Sequence, residues 1–90
     1  MNMYSYLVEF VGVVAFVYIA LLTANPLAIG ATLAMILLVC GKTCIGGLNP
    51  AIAIAQVVNG SLPPRDLLPI CLAQVLGALV AVELIKKYTM

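Results

Sequence analysis

The tripeptide Asn49-Pro50-Ala51, set between apolar segments long enough to cross a membrane, constrains this chain more than any other feature. Asn is a good helix N-cap, and Pro is tolerated at the first helical position because its missing N–H would be unpaired there anyway. A helix therefore starts at Asn49-Pro50. It runs on through Ile-Ala-Ile-Ala-Gln-Val-Val and breaks at Asn59-Gly60-Ser61 and Pro63-Pro64. At 1.5 Å per residue such a helix rises about 14 Å, roughly half of the ~30 Å hydrocarbon thickness. It cannot span, and it is too apolar to be a solvated loop. With Gly46-Gly47 leading in, it reads as a re-entrant segment starting at mid-depth. Such backbone is tolerated in a bilayer only where it is buried in protein or lines a water-filled path. The pattern points to a pore.

Composition agrees on the class. Of 90 residues, 66% are hydrophobic and 8% charged, and the mean hydropathy is +1.26, which leaves too few polar residues to cover a soluble domain. The expected fold is an all-α membrane protein, one domain over 1–90. Transmembrane helices are expected over 6–24, 27–41 and 67–85, with a re-entrant loop and half-helix over 42–59. No Lys or Arg precedes Lys42, so a signal peptide lacks its positive n-region and the first span is expected to stay. The apolar runs are continuous rather than alternating, which excludes a β-barrel pattern.

The residues from Leu27 to Val80 resemble the first half of an aquaporin, or major intrinsic protein. In that family the second span leads through a small-residue loop into Asn-Pro-Ala and a half-helix, and the third span carries Ala-Gln-x-x-Gly-Ala. Here the matching stretches are Ile45-Gly46-Gly47-Leu48-Asn49-Pro50-Ala51 and Ala73-Gln74-Val75-Leu76-Gly77-Ala78. Glu9-Phe10 followed by Gly12 is similar to the Glu-Phe-x-Gly near the start of the family's first span. The resemblance implies three spans plus one half-helix, half of an aquaporin-like fold.

Family members carry two such halves in one chain, inverted relative to each other, whereas this sequence matches one. One half alone would leave a side of its re-entrant segment facing lipid with unpaired backbone groups. The expected partners are therefore the bilayer and a second half: an inverted copy of the chain, or a different half-chain. Charge favours the copy. Lys42 and Arg65 fall on the N-terminal side of the spans and Lys86 and Lys87 on the other, so no Lys/Arg excess selects one orientation. Full-length relatives form tetramers, which would here mean eight chains.

Two half-helices meeting at Asn49 and its symmetry mate would place two positive helix ends at the centre of a narrow channel. Asn49 can donate to a passing oxygen while apolar walls offer nothing else. Cations are disfavoured by the field and neutral solutes pass in single file. The resemblance implies the same mechanism. It also places the constriction candidates at Ile29 on the second span and Ile52 after Ala51. The Arg that family members carry after their second Asn-Pro-Ala has no counterpart in a homodimer, and the chain has no His. The expected permeants are water and small neutral solutes such as glycerol.

Glu9 and Gln74 are read as supports of the loop, with Gly46 and Gly47, because intramembrane polar groups are expensive unless hydrogen-bonded. Gly12, Gly30 and Gly77 are read as packing positions. Ala73, Gly77 and Ala81 form a small-residue row at i, i+4 and i+8. Glu83 is expected to pair with Lys87 four residues on. Tyr4, Tyr6 and Tyr88 fit interfacial belts. Cys40, Cys44 and Cys71 are read as small apolar residues, with Cys44 open to thiol reagents. No metal site, cofactor, catalytic group or nucleic-acid surface is expected. Two alternatives to a homodimeric channel stay open: a non-conducting membrane protein that uses the fold for packing, and a split half that needs a different partner chain.

Overall fold

The computed structural model describes residues 3–88, of which no residue lies in a strand. Four helices follow one another: α1 (Met3–Thr23), α2 (Pro26–Cys40), α3 (Pro50–Val58) and α4 (Leu67–Tyr88). Short 3-10 turns at Gly41–Thr43 and Pro64–Asp66 join them. Three segments, Met3–Thr23, Pro26–Thr43 and Pro64–Tyr88, are long and apolar enough to cross a membrane, with mean hydropathies of 2.2, 1.7 and 2.2. The longest dimension, 40 Å, matches a bilayer of about 40–45 Å including headgroups. The chain is an all-α membrane protein.

The same dipeptide starts α2 and α3. Asn25 accepts from the N–H groups of Leu27 (2.9 Å) and Ala28 (3.1 Å), and Asn49 accepts from Ala51 (2.8 Å), each with Pro at the first helical position. This satisfies donors that have no partner within a helix's first turn. The two caps lead to helices of very different fate. α2 has 15 residues and buries none of them, whereas α3 has 9 and buries Ala53 completely.

The main packing is α1 against α4, with α2 resting on α1 and α3 on α4. On α4 the buried residues Ile70, Gln74, Gly77, Ala81 and Ile85 make one stripe. A Cβ at Gly77 would stand 2.7 Å from the Phe10 carbonyl oxygen, so glycine lets the two backbones approach. In the small-residue row, Gly77 and Ala81 lie in this seam, and Ala73 is half-buried beside it.

Several expectations need correction. α1 begins about a turn earlier than expected and α4 runs on to Tyr88, because polar and aromatic residues at their ends continue the helices into the interface. A Cβ at Gly30 would meet nothing within 4 Å among the described residues, so any packing at that position would have to come from another chain. Glu83 pairs with Lys86 at 3.8 Å rather than with Lys87, since i, i+3 neighbours also share a helix face. Tyr6 is half-buried, and its hydroxyl donates to Asp66 at 3.1 Å, which ties α1 to the start of α4. Tyr4 and Tyr88 are exposed.

Candidate functional site: an anchored re-entrant loop

Between α2 and α3 the chain makes a series of tight turns. Gly47 donates to the Cys44 carbonyl (3.0 Å) and Asn49 to that of Gly46 (3.3 Å). Both Gly47 (φ +66°) and Leu48 (φ +60°) adopt the left-handed region. For Leu48 that conformation costs roughly 1–2 kcal/mol, so surrounding contacts must hold it.

Those contacts come from two spans. Glu9, with no exposed surface, lies on the buried side of α1. Its carboxylate accepts from the N–H of Gly46 (3.0 Å), the N–H of Leu48 (3.2 Å) and the Nε2 of Gln74 on α4 (2.9 Å). Gln74 Nε2 also reaches the Gly46 carbonyl oxygen at 3.4 Å. Three N–H donors thus converge on one acid, which is how a carboxylate becomes tolerable at membrane depth. Gln74 thus bonds both loop backbone and the Glu9 side chain, the contact to Glu9 being the shorter.

The fit is steric as well as polar. A Cβ at Gly46 would fall 2.6 Å from Ile70 Cγ2, 2.9 Å from Gln74 Nε2 and 3.1 Å from Glu9 Oε1. Only a glycine backbone can enter so close. Gly12 leaves a notch for Leu48, whose Cδ2 would lie 2.8 Å from a Cβ there. Val13, Cys44 and Leu48 form one buried cluster, and Ala53, Leu62 and Ile70 form another beneath α3.

This cradle presents Asn49, Pro50 and Ala51 at the exposed rim of the loop. Asn49 Oδ1 is occupied by the Ala51 N–H, which leaves the side-chain NH2 free to donate outward, beside the positive end of α3. A dent of about 180 Å³ lies next to Pro50, lined by Val13, Phe16, Leu48, Gln74, Val75 and Ala78. The arrangement can offer hydrogen-bond donors to a neutral oxygen at an otherwise apolar place. Ile52 is partly exposed next to Gly47, while Ile29 lies on α2 outside both buried clusters. The fold of one chain does not assemble these two residues into a constriction.

Lys42 is exposed in the 3-10 turn after α2. The cysteines differ from expectation. Cys40 and Cys44 form a disulfide, with Cα atoms 5.7 Å apart, and among the described residues Cys71 is a free thiol. The four-residue separation brings the pair together because the 3-10 turn reverses the chain after α2. Leu48, the Tyr6–Asp66 contact and the disulfide are features that sequence reasoning missed. The positive φ of Leu48 has no sequence signal, whereas the Cys-x3-Cys spacing at a helix end could have suggested the bond.

Over 59 residues, 66% of its length, the chain is 39% identical to Aquaporin Z of Brucella melitensis. The matched region is 26% of that protein, so the chain spans about a quarter of the length of the curated relative it matches. No protein-family model and no solved structure matches the chain. The likeness indicates an aquaporin-like relationship for part of the chain.

Proposed function

We propose that the chain is one half of a membrane channel for water and small neutral solutes such as glycerol, completed by a second copy inserted in the inverted orientation. The observation that carries this reading is the short α3, capped by Asn49 and held from behind by the bonds of Glu9 to Gly46 and Leu48. A loop merely filling space would not need a buried acid to present an outward-facing amide donor. The partial likeness to Aquaporin Z supports the same class.

Inversion is supported by the charge balance. Lys42 and Arg65 flank one end of the helices and Lys86 and Lys87 the other, so either orientation meets the positive-inside preference equally well. In the inverted pair, both half-helices would point their positive ends at the channel centre, a field that repels cations. Ile29 and Ile52 of both copies would make the narrow part apolar, which suits neutral solutes.

Stopped-flow osmotic shrinkage of liposomes holding the purified protein tests the reading. Wild type should shrink liposomes faster than protein-free controls, and Asn49→Asp should lose or alter that permeability by placing a carboxylate between the helix ends. Folded, dimeric protein that conducts no faster than empty liposomes would move the assignment to a packing role. Reporter fusions at each terminus test the inversion, and a single exclusive orientation would sink the homodimer in favour of a different partner half.

A further inference from the structure

We infer that the Cys40–Cys44 disulfide is a thiol-exchange site that latches the re-entrant loop, so that small-molecule thiols loosen it and oxidation tightens it. The bond joins the last residue of α2 to the residue whose carbonyl starts the turns leading to Asn49. From Cys44 the chain passes through Gly46, Gly47 and Leu48, the last two in the left-handed region. The loop is therefore fixed from two sides, covalently at Cys44 and through Glu9 at Gly46 and Leu48. Cys44 also sits in one buried cluster with Leu48 and Val13, so releasing its sulfur disturbs the packing of the residue that bonds Glu9.

The site can be reached. Cys40 is half-buried, Cys44 is buried, and the intervening Gly41 and Lys42 are exposed at the end of a span. A low-molecular-weight thiolate attacks the Cys40 sulfur, and the S–S bond breaks with Cys44 leaving as a thiolate that takes up a proton. A second thiolate then attacks the sulfur of the bound small thiol, and Cys40 leaves as a thiolate that takes up a proton, giving a protein dithiol and one oxidised thiol dimer. Two thiols are consumed and two electrons pass to the protein.

The effect on permeation rests on the channel reading above, but the latch does not, so the test reads the loop directly. Peptide mapping of non-reduced protein in liposomes should find Cys40 joined to Cys44, in a Cys71→Ser background that removes scrambling. Hydrogen exchange of peptides covering 44–49 should become roughly tenfold faster after treatment with glutathione, because a short covalent ring restricts the open states of the loop. The Cys40→Ser/Cys44→Ser variant should exchange at the reduced rate and ignore glutathione. Free thiols at both positions after mild oxidation, or equal exchange in the two redox states, would overturn the inference. Osmotic shrinkage run on the same samples separates the two readings. Faster exchange without any permeability at all supports the latch and removes the channel.

Discussion

α2 and α4 are both apolar membrane helices, yet they are specified in opposite ways. α4 buries a stripe that includes Gln74, closes on α1 through Gly77, and contributes an amide donor to the Glu9 network. No α2 residue is fully buried, although Leu33, Ile36 and Leu37 pack partly against the Val13 cluster; Leu38 and Val39 are 82% and 88% exposed, and an open apolar groove of about 430 Å³ runs between α2 and α1 along Leu7, Val11, Ala15, Met35 and Val39. In lipid, apolar surface alone gives no preference for protein over acyl chains, so position is set by small-residue contacts and by polar groups that must be paired. α4 has both. α2 has neither inside the chain and is held in place by its Asn25 cap, its contact with α1 and the disulfide at its end.

Breaking the polar side of this contrast should cost most. Glu9→Leu strands the Gly46 and Leu48 N–H groups and the Gln74 amide, and should destabilise the protein by roughly 3–5 kcal/mol. Denaturant titration in detergent micelles, followed by circular dichroism, would show it. A loss below about 1 kcal/mol, less than one stranded buried donor should cost, would mean that the network does not organise the fold. Gly46→Ala forces a methyl against Ile70, Gln74 and Glu9 and should cost about 2 kcal/mol in the same titration.

The two caps give a finer comparison. Asn25→Ala and Asn49→Ala should each lose about 1 kcal/mol of stability. Liposome shrinkage should respond to the Asn49 change alone, because only that amide lies at the proposed channel centre. On α2 the expected effects are smallest. Gly30→Ala meets open space and should be neutral or stabilising by up to about 1 kcal/mol through helix propensity. Val39→Ala should stay within about 0.5 kcal/mol in micelles that hold single chains. A larger effect in micelles that hold dimers would show that a second copy covers α2.

How much of this was visible in the sequence follows from the range over which each interaction acts. The spans were legible because length and hydropathy decide them, and the start of α3 because Asn49-Pro50 is a local device. The value of Glu9, Gly46 and Gln74 as a group came through the family resemblance, since residues 37 and 65 positions apart carry no local sign of contact. The Leu48 conformation stayed hidden for another reason. Nothing in leucine favours a left-handed backbone, and only the Glu9 acceptor and the Gly12 notch impose it. The Tyr6–Asp66 bond likewise depends on α1 and α4 already being side by side. The start of α1 and the end of α4 were off by about a turn because interfacial residues extend a helix without changing its apolar core, while the other span ends agree within a residue.

Glu9 also sets a schedule for biogenesis. Its three donors lie 37, 39 and 65 residues downstream, on segments that leave the ribosome well after α1. A nascent chain therefore carries an acid in its first span before anything can quench it. The α1–α2 hairpin is synthesised before α4, and the bond from Gln74 that completes the Glu9 set needs α4 in place. Full satisfaction of Glu9 is thus tied to the arrival of α4, and a chain stopped near residue 60 would lack the Gln74 donor.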